Sequence, residues 1–224
     1  MARILIEACV ETLSTATAAE AGGAGRIELC TSLDVGGLTP DESLVVACRD
    51  RLTTPVVVMV RARPGSFVLR PGELKRLEGQ VRRMRGLGVA GVVLGALTPE
   101  GTVDAPAVQA LVAAASGLPV TFHRAFDEIA DQAAALERLI ELGVARVLTA
   151  GGAPTAWDGV DRTAALVRQA AGRIGILAGG SVRAHNAGAL VARTGVTELH
   201  SRTPSDSEAV RALVRAANAA PGIS

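Results

Sequence analysis

Eight times along this chain a short apolar run stops on a polar residue or a glycine, at Glu7, Glu28, Arg61, Gly95, His123, Thr149, Gly179 and His200. A stretch of helical periodicity fills each interval, and the unit recurs roughly every two to three dozen residues. Strands that alternate with crossover helices lie parallel, and eight such units close into a ring whose strand ends share one rim. The predicted fold is therefore α/β, a single (β/α)8 TIM barrel spanning residues 1–224 as one domain, with its chemistry at the rim where the strands end. An open doubly wound sheet is the competing arrangement, and the even spacing speaks against it.

The periodicity places strands at 4–9, 27–30, 56–61, 92–95, 120–123, 146–149, 174–178 and 198–200. Helices fall at 13–21, 41–52, 73–87, 106–115, 132–142, 161–171, 187–193 and 207–217. Thr39-Pro40-Asp41-Glu42 reads as a helix start, with Thr39 as the cap, proline at the first helical position and Glu42 reaching back. His185 and Asn186 read as loop or capping residues before the seventh helix. Gly22-Gly23, Gly86 with Gly88, Gly143 and Gly195 follow helices, where a left-handed residue is wanted, and mark the opposite rim. Gly86-Leu87-Gly88-Val89-Ala90-Gly91 spells a dinucleotide-binding pattern but precedes a strand instead of following one. No nucleotide cofactor motif remains.

Side chains alternate along a strand, which sends Glu7, Cys9, Arg26, Glu28, Cys30, Met59, Arg61, Thr121, His123, Glu198 and His200 inward. Ionised groups inside a barrel cost several kcal/mol each unless paired, so Glu7 and Glu28 are expected to face Arg61, Arg63 or Arg124. A purely structural ion-pair layer explains such a set, and so does acid–base chemistry by His123 or His200 with Glu7, Glu28 or Asp127. Arg61 and Arg124 complete the candidate catalytic group. The single lysine, Lys75, lies on an outer helix, which excludes Schiff-base chemistry at the strand ends.

Gly179 and Gly180 after the seventh strand, with Ser201 after the eighth, have the placement of a phosphate or anion cradle, which Gly151 and Gly152 after the sixth would extend. The same glycines also suit tight turns. Cys9 and Cys30 end neighbouring strands with the same inward parity, and two thiols so placed suit Cu(I), aided by the thioether of Met59. Cysteine as a small buried hydrophobe is the alternative, and Cys48 on a helical apolar stripe is core packing. Three cysteines form no disulfide framework, and no CxxC or HExxH motif supports zinc.

A formal net charge of +1 and the absence of tyrosine argue against nucleic acid as a partner. Residues 1–10 hold only a brief apolar run broken by Glu7, too short for a signal core or a membrane span, so a cytoplasmic location is expected. Expected partners are a copper ion or a small anionic molecule, with self-association as a homo-oligomer left open.

Glu7-Ala8-Cys9-Val10, Gly23-Ala24-Gly25-Arg26-Ile27-Glu28-Leu29-Cys30, Gly36-Gly37-Leu38-Thr39-Pro40 and Thr121-Phe122-His123-Arg124-Ala125-Phe126-Asp127 together resemble the CutC family, called copper homeostasis proteins. The resemblance runs from Ile4 to Ser201 and takes in Leu148-Thr149-Ala150-Gly151-Gly152 and Glu198-Leu199-His200-Ser201. It implies a (β/α)8 barrel and a cytosolic Cu(I)-binding role in copper homeostasis, with Cys9 and Cys30 at the positions of the family's candidate ligands. The chain departs at Arg61-Ala62-Arg63-Pro64-Gly65-Ser66-Phe67, where the family usually shows proline between the arginines and an acidic residue before the phenylalanine. The residue chemistry also fits a barrel enzyme, a lyase, isomerase or hydrolase, acting on a phosphorylated or carboxylated small molecule.

Overall fold

Eight parallel strands pair in chain order and the eighth closes on the first. The computed structural model describes residues 3–202 and 206–219. The strands are β1 (Leu5–Val10), β2 (Arg26–Leu29), β3 (Val56–Met59), β4 (Gly91–Leu94), β5 (Val120–Phe122), β6 (Arg146–Thr149), β7 (Gly175–Ala178) and β8 (Glu198–Arg202). The helices between and after them are α1 (Leu13–Ala21), α2 (Glu42–Arg51), α3 (Glu73–Gly86), α4 (Ala105–Ala115), α5 (Gln132–Glu141), α6 (Val160–Ala170), α7 (Ala184–Thr194) and α8 (Ser207–Asn218). The TIM barrel expected from the spacing is the fold, and no described helix is long and apolar enough to cross a membrane.

Alternation decides what lies on each side of the sheet. Ile6, Ala8, Ile27, Leu29, Val58, Phe122, Val147 and Leu199 point outward into two large apolar clusters under the helical jacket. Inside, Cys9, Cys30, Val57, Met59 and Val93 form a separate small cluster toward one side. Most of the remaining interior is polar, and that polar set positions the site.

Several local expectations change. Thr39 does not cap α2, because Asp41 occupies the cap position without a side-chain bond. The Thr39 hydroxyl instead donates to the Arg61 carbonyl and accepts the Arg61 amide, tying the loop after β2 to the chain end of β3. The α7 helix starts three residues before the predicted 187, since the Asn186 side chain turns back to accept the Arg183 amide at 2.8 Å, and His185 lies in the first turn. β8 runs on to Arg202, two residues past its predicted end, because it stays paired with β1 up to the Cys9 level. Of the post-helical glycines, Gly23, Gly88, Gly143 and Gly195 are left-handed, Gly195 capping α7 at φ 74°, whereas Gly22 caps α1 in the right-handed region at φ −77° and Gly86 is the last residue of α3.

Candidate functional site

Glu7 sits mid-strand on β1, and its register neighbours are Arg26 on β2 and His200 on β8. Neighbours in a parallel ladder face the same side, so all three project into the barrel. The Glu7 carboxylate, fully buried, accepts from Arg26 Nε and lies 2.8 Å from His200 Nδ1. Arg26 also reaches Glu198, which Arg146 approaches to 3.3 Å. The other ring nitrogen of His200 stands 3.8 Å from Glu28 Oε2. Three carboxylates thus meet two guanidiniums and one imidazole.

Burial alone would raise the Glu7 carboxyl, but His200 and Arg26 bring it down to about 2. Burial opposes charge on His200, yet Glu28, Cys9 and Glu7 hold its pKa well above the usual imidazole range. Glu28 meets no guanidinium among the described residues, and burial, only partly offset by His200, raises its pKa.

The pairing of Glu7 and Glu28 with Arg61, Arg63 or Arg124 does not occur. β3 and β5 end at Met59 and Phe122, so these arginines stand one layer too high, on the loops. Arg61 donates to the carbonyls of Val35, Gly37 and Gly65 and stacks 4.7 Å from the Phe67 ring centre. Arg63 pairs with Glu73 at 2.8 Å and Arg124 with Asp127 at 2.7 Å.

Cys9 and Cys30 converge as their parity predicts, their sulfurs 3.7 Å apart and buried. Both sulfurs and a Glu28 oxygen lie within 4.8 Å of one another, and Met59 packs in the same inner cluster. The bond to Cys30, then burial and the Glu28 carboxylate, push the Cys9 thiol well above its usual range. For Cys30 the bond with Cys9 works downward, but burial and the Glu28 and Glu7 carboxylates push it up to about 12. Both sulfurs therefore carry protons near neutral pH.

Above this layer the barrel mouth opens into a cavity of about 710 Å³. Glu28, Arg61, His123, Arg124, Asp127 and His200 line it, while Glu7 lies beneath. His123 Nδ1 accepts the Ala125 amide at 3.2 Å and its ring packs 4.8 Å from Phe67. Burial, and then the charge of Arg61, lower its pKa to about 3. The neutral ring consequently keeps its proton on Nε2, the nitrogen left free of the amide. That buried Nε2 has no partner among the described residues, and neither does Glu28 Oε1.

The glycine positions read as an anion cradle separate into two groups. Asp127 accepts the amides of Ala150 and Gly152 and the Thr149 hydroxyl, and Gly151 donates to Thr149. The turn after β6 is therefore filled by the chain's own carboxylate, and Asp127 is a structural anion there. Gly179 donates to the Thr149 carbonyl in the ladder, and a Cβ on it would meet Leu148 at 2.6 Å. Ser201 follows the outward parity of β8 and donates to the Val182 carbonyl, away from the mouth. Only Gly180 faces the cavity with its amide unused among the described residues, joined there by Ser181. Arg183 and Arg202, not among the candidate site residues expected from the sequence, also line it. Parity would have found Arg202, two positions beyond His200; Arg183 carries no such signal.

Residues 4–205 match the family model described as the CutC family. A family protein CutC of Xanthomonas campestris pv. campestris is 48% identical over 196 residues, covering 88% of this chain and 82% of the relative. One from Porphyromonas gingivalis is 43% identical over 201 residues, covering 90% and 81%. Among solved structures, a CutC protein of Streptococcus agalactiae superposes with a TM-score of 0.85 at 35% identity, covering 89% of this chain and 98% of that one. Thiamine phosphate pyrophosphorylase from Pyrococcus furiosus, at 14% identity and a TM-score of 0.68, shares the fold.

Proposed function

The chain belongs to the CutC family, and from that premise we propose that it is a copper-handling protein whose cargo, Cu(I), is taken up by the thiols of Cys9 and Cys30. The observation that carries this reading is the convergence of two buried sulfurs, 3.7 Å apart, beneath the mouth of the barrel. Soft thiolate and thioether donors select Cu(I) over hard cations, and Met59 stands in the same cluster. The donor set fits the ion chemically, and the nearby Glu28 carboxylate favours a cation over a second thiolate charge. The Streptococcus agalactiae relative is named as a candidate copper homeostasis protein, which agrees with this reading. Titration of Cu(I) against a competing chelator tests it. The parent protein should take up one ion, and a Cys9→Ser, Cys30→Ser double variant should lose that uptake; equal affinity in the two proteins refutes the proposal.

A second reading is favoured by one arrangement, His200 held between two buried carboxylates under a cavity far larger than an ion. On that reading the barrel is an enzyme, a lyase, isomerase or hydrolase, in which Glu28 and His200 exchange a proton with a phosphorylated or carboxylated small molecule. Turnover that Glu28→Gln abolishes would support it.

A further inference from the structure

A cavity of about 710 Å³ falls within the size range of small-molecule sites, about 300–1,000 Å³, and exceeds the needs of one ion. Its charge is uneven. Arg61, Arg183 and Arg202 line it, and none forms an ion pair with a carboxylate among the described residues. Arg61 is held by three loop carbonyls, whereas Arg202 spends one nitrogen on the Leu33 carbonyl and Arg183 one on Val182 and the Ser201 hydroxyl. Of the lining carboxylates, Asp127 is enclosed by amides and Arg124, Glu128 lies toward Arg61, and Glu28 on β2 faces His200. The β7–β8 side is left with positive charge and open guanidinium donors.

On that side the chain turns through Gly180 at φ 110° and Ser181 at φ 56° before α7 begins at Ala184. Left-handed backbone is unusual for serine, and this turn presents two amides without an acceptor among the described residues. Amides beside a helix start, in a cavity that Arg183 and Arg202 also line, form a ready site for an oxyanion. Two residues that line the same cavity, His123 and Glu28, also carry a buried polar atom without a partner among the described residues, the donor Nε2 and the acceptor Oε1. Together they call for a ligand with an anionic end and a body bearing both hydroxyl protons and oxygen acceptors.

We propose that the mouth binds a small polyhydroxylated organic oxyanion, a phosphate monoester or a carboxylate. Its anionic group lies on the Gly180 and Ser181 amides between Arg183 and Arg202, and its oxygen-bearing body reaches His123 Nε2 and Glu28 Oε1. This rests on the second reading and deepens it by placing the anionic group and requiring a polyhydroxylated body, and as a binding claim it is separable from turnover.

The test uses the full chain, with ribose 5-phosphate and related sugar phosphates in one arm, gluconate and related hydroxy acids in a second, and ribose as the neutral control. Thermal shift and calorimetric titration should show stabilisation in one anionic arm and none with ribose; the responding arm identifies phosphate or carboxylate. An Arg183→Ala, Arg202→Ala variant should bind roughly tenfold or more weakly, the loss expected for charge-assisted bonds, while taking up Cu(I) as the parent does. Should that variant fold poorly, the Gly180 and Ser181 amide resonances of the parent must shift on titration. A blank across both arms, binding undiminished in the variant, or unmoved Gly180 and Ser181 amides with a ligand that binds would each overturn the proposal. Binding without turnover would uphold it while removing the enzyme reading.

Discussion

A thiol that holds its proton near neutrality gives it up only when a cation displaces it. Cys9 is raised well above its usual range and Cys30 to about 12, so each Cu(I) bound between them should expel about two protons. Each proton released makes affinity about tenfold stronger per pH unit. Competition titrations at pH 6, 7 and 8 should accordingly show affinity rising by about a hundredfold per unit, with matching proton release in weakly buffered solution. A pH-independent affinity would mean that the sulfurs do not ligate as thiolates. The two thiols were legible at this scale, since the inward parity of positions 9 and 30 needs no knowledge of tertiary structure. The partners of the carboxylates were not: Glu7 meets Arg26 and His200 because strand register sets side-chain height, and parity carries no information on height.

Strand pairing also constrains what the two sulfurs can become. Cys9 has Glu28 as its register partner, which places Cys30 two residues farther along the neighbouring strand path. Strand spacing and rise then set the two Cα atoms about 8 Å apart, beyond the roughly 7 Å that a disulfide spans without backbone movement. The native protein exposed to diamide should keep both thiols free by mass spectrometry after alkylation, and should form the Cys9–Cys30 bond only in urea. Rapid oxidation of the folded chain would show that the β2 end moves. The elements themselves were readable from apolar periodicity and post-helical glycines, with ends displaced by one to three residues in most cases. The displaced features are those governed by contacts distant in sequence. Thr39 serves a neighbouring loop instead of its helix, and Asp127 fills the turn after β6 from a 3-10 segment, Arg124–Glu128, that has no apolar period.

Across the whole molecule, the polar layer ties the point of barrel closure to the strands on either side of it, from β2 round to β6. Glu7 on β1 joins Arg26 on β2 and His200 on β8; Glu198 on β8 joins Arg26 and, across the interior, Arg146 on β6. A barrel interior filled in this way depends on balanced charge where apolar layers would depend on volume, so removing one member leaves an uncompensated buried ion. Glu7→Gln keeps the shape and removes the charge, stranding Arg26 with Glu198 alone, and should cost roughly 3–5 kcal/mol in urea unfolding at pH 7. The pH dependence separates this charge effect from lost packing. The Glu7 carboxyl falls from its ordinary 4.5 to about 2 on folding. Its contribution of roughly 3 kcal/mol is therefore fully present above about pH 4.5 and fades as pH falls toward 2. The stability gap between parent and variant should be widest above pH 5 and close progressively below pH 4. A gap of constant size down to pH 2.5 would show that Glu7 stabilises the barrel by shape and not by charge.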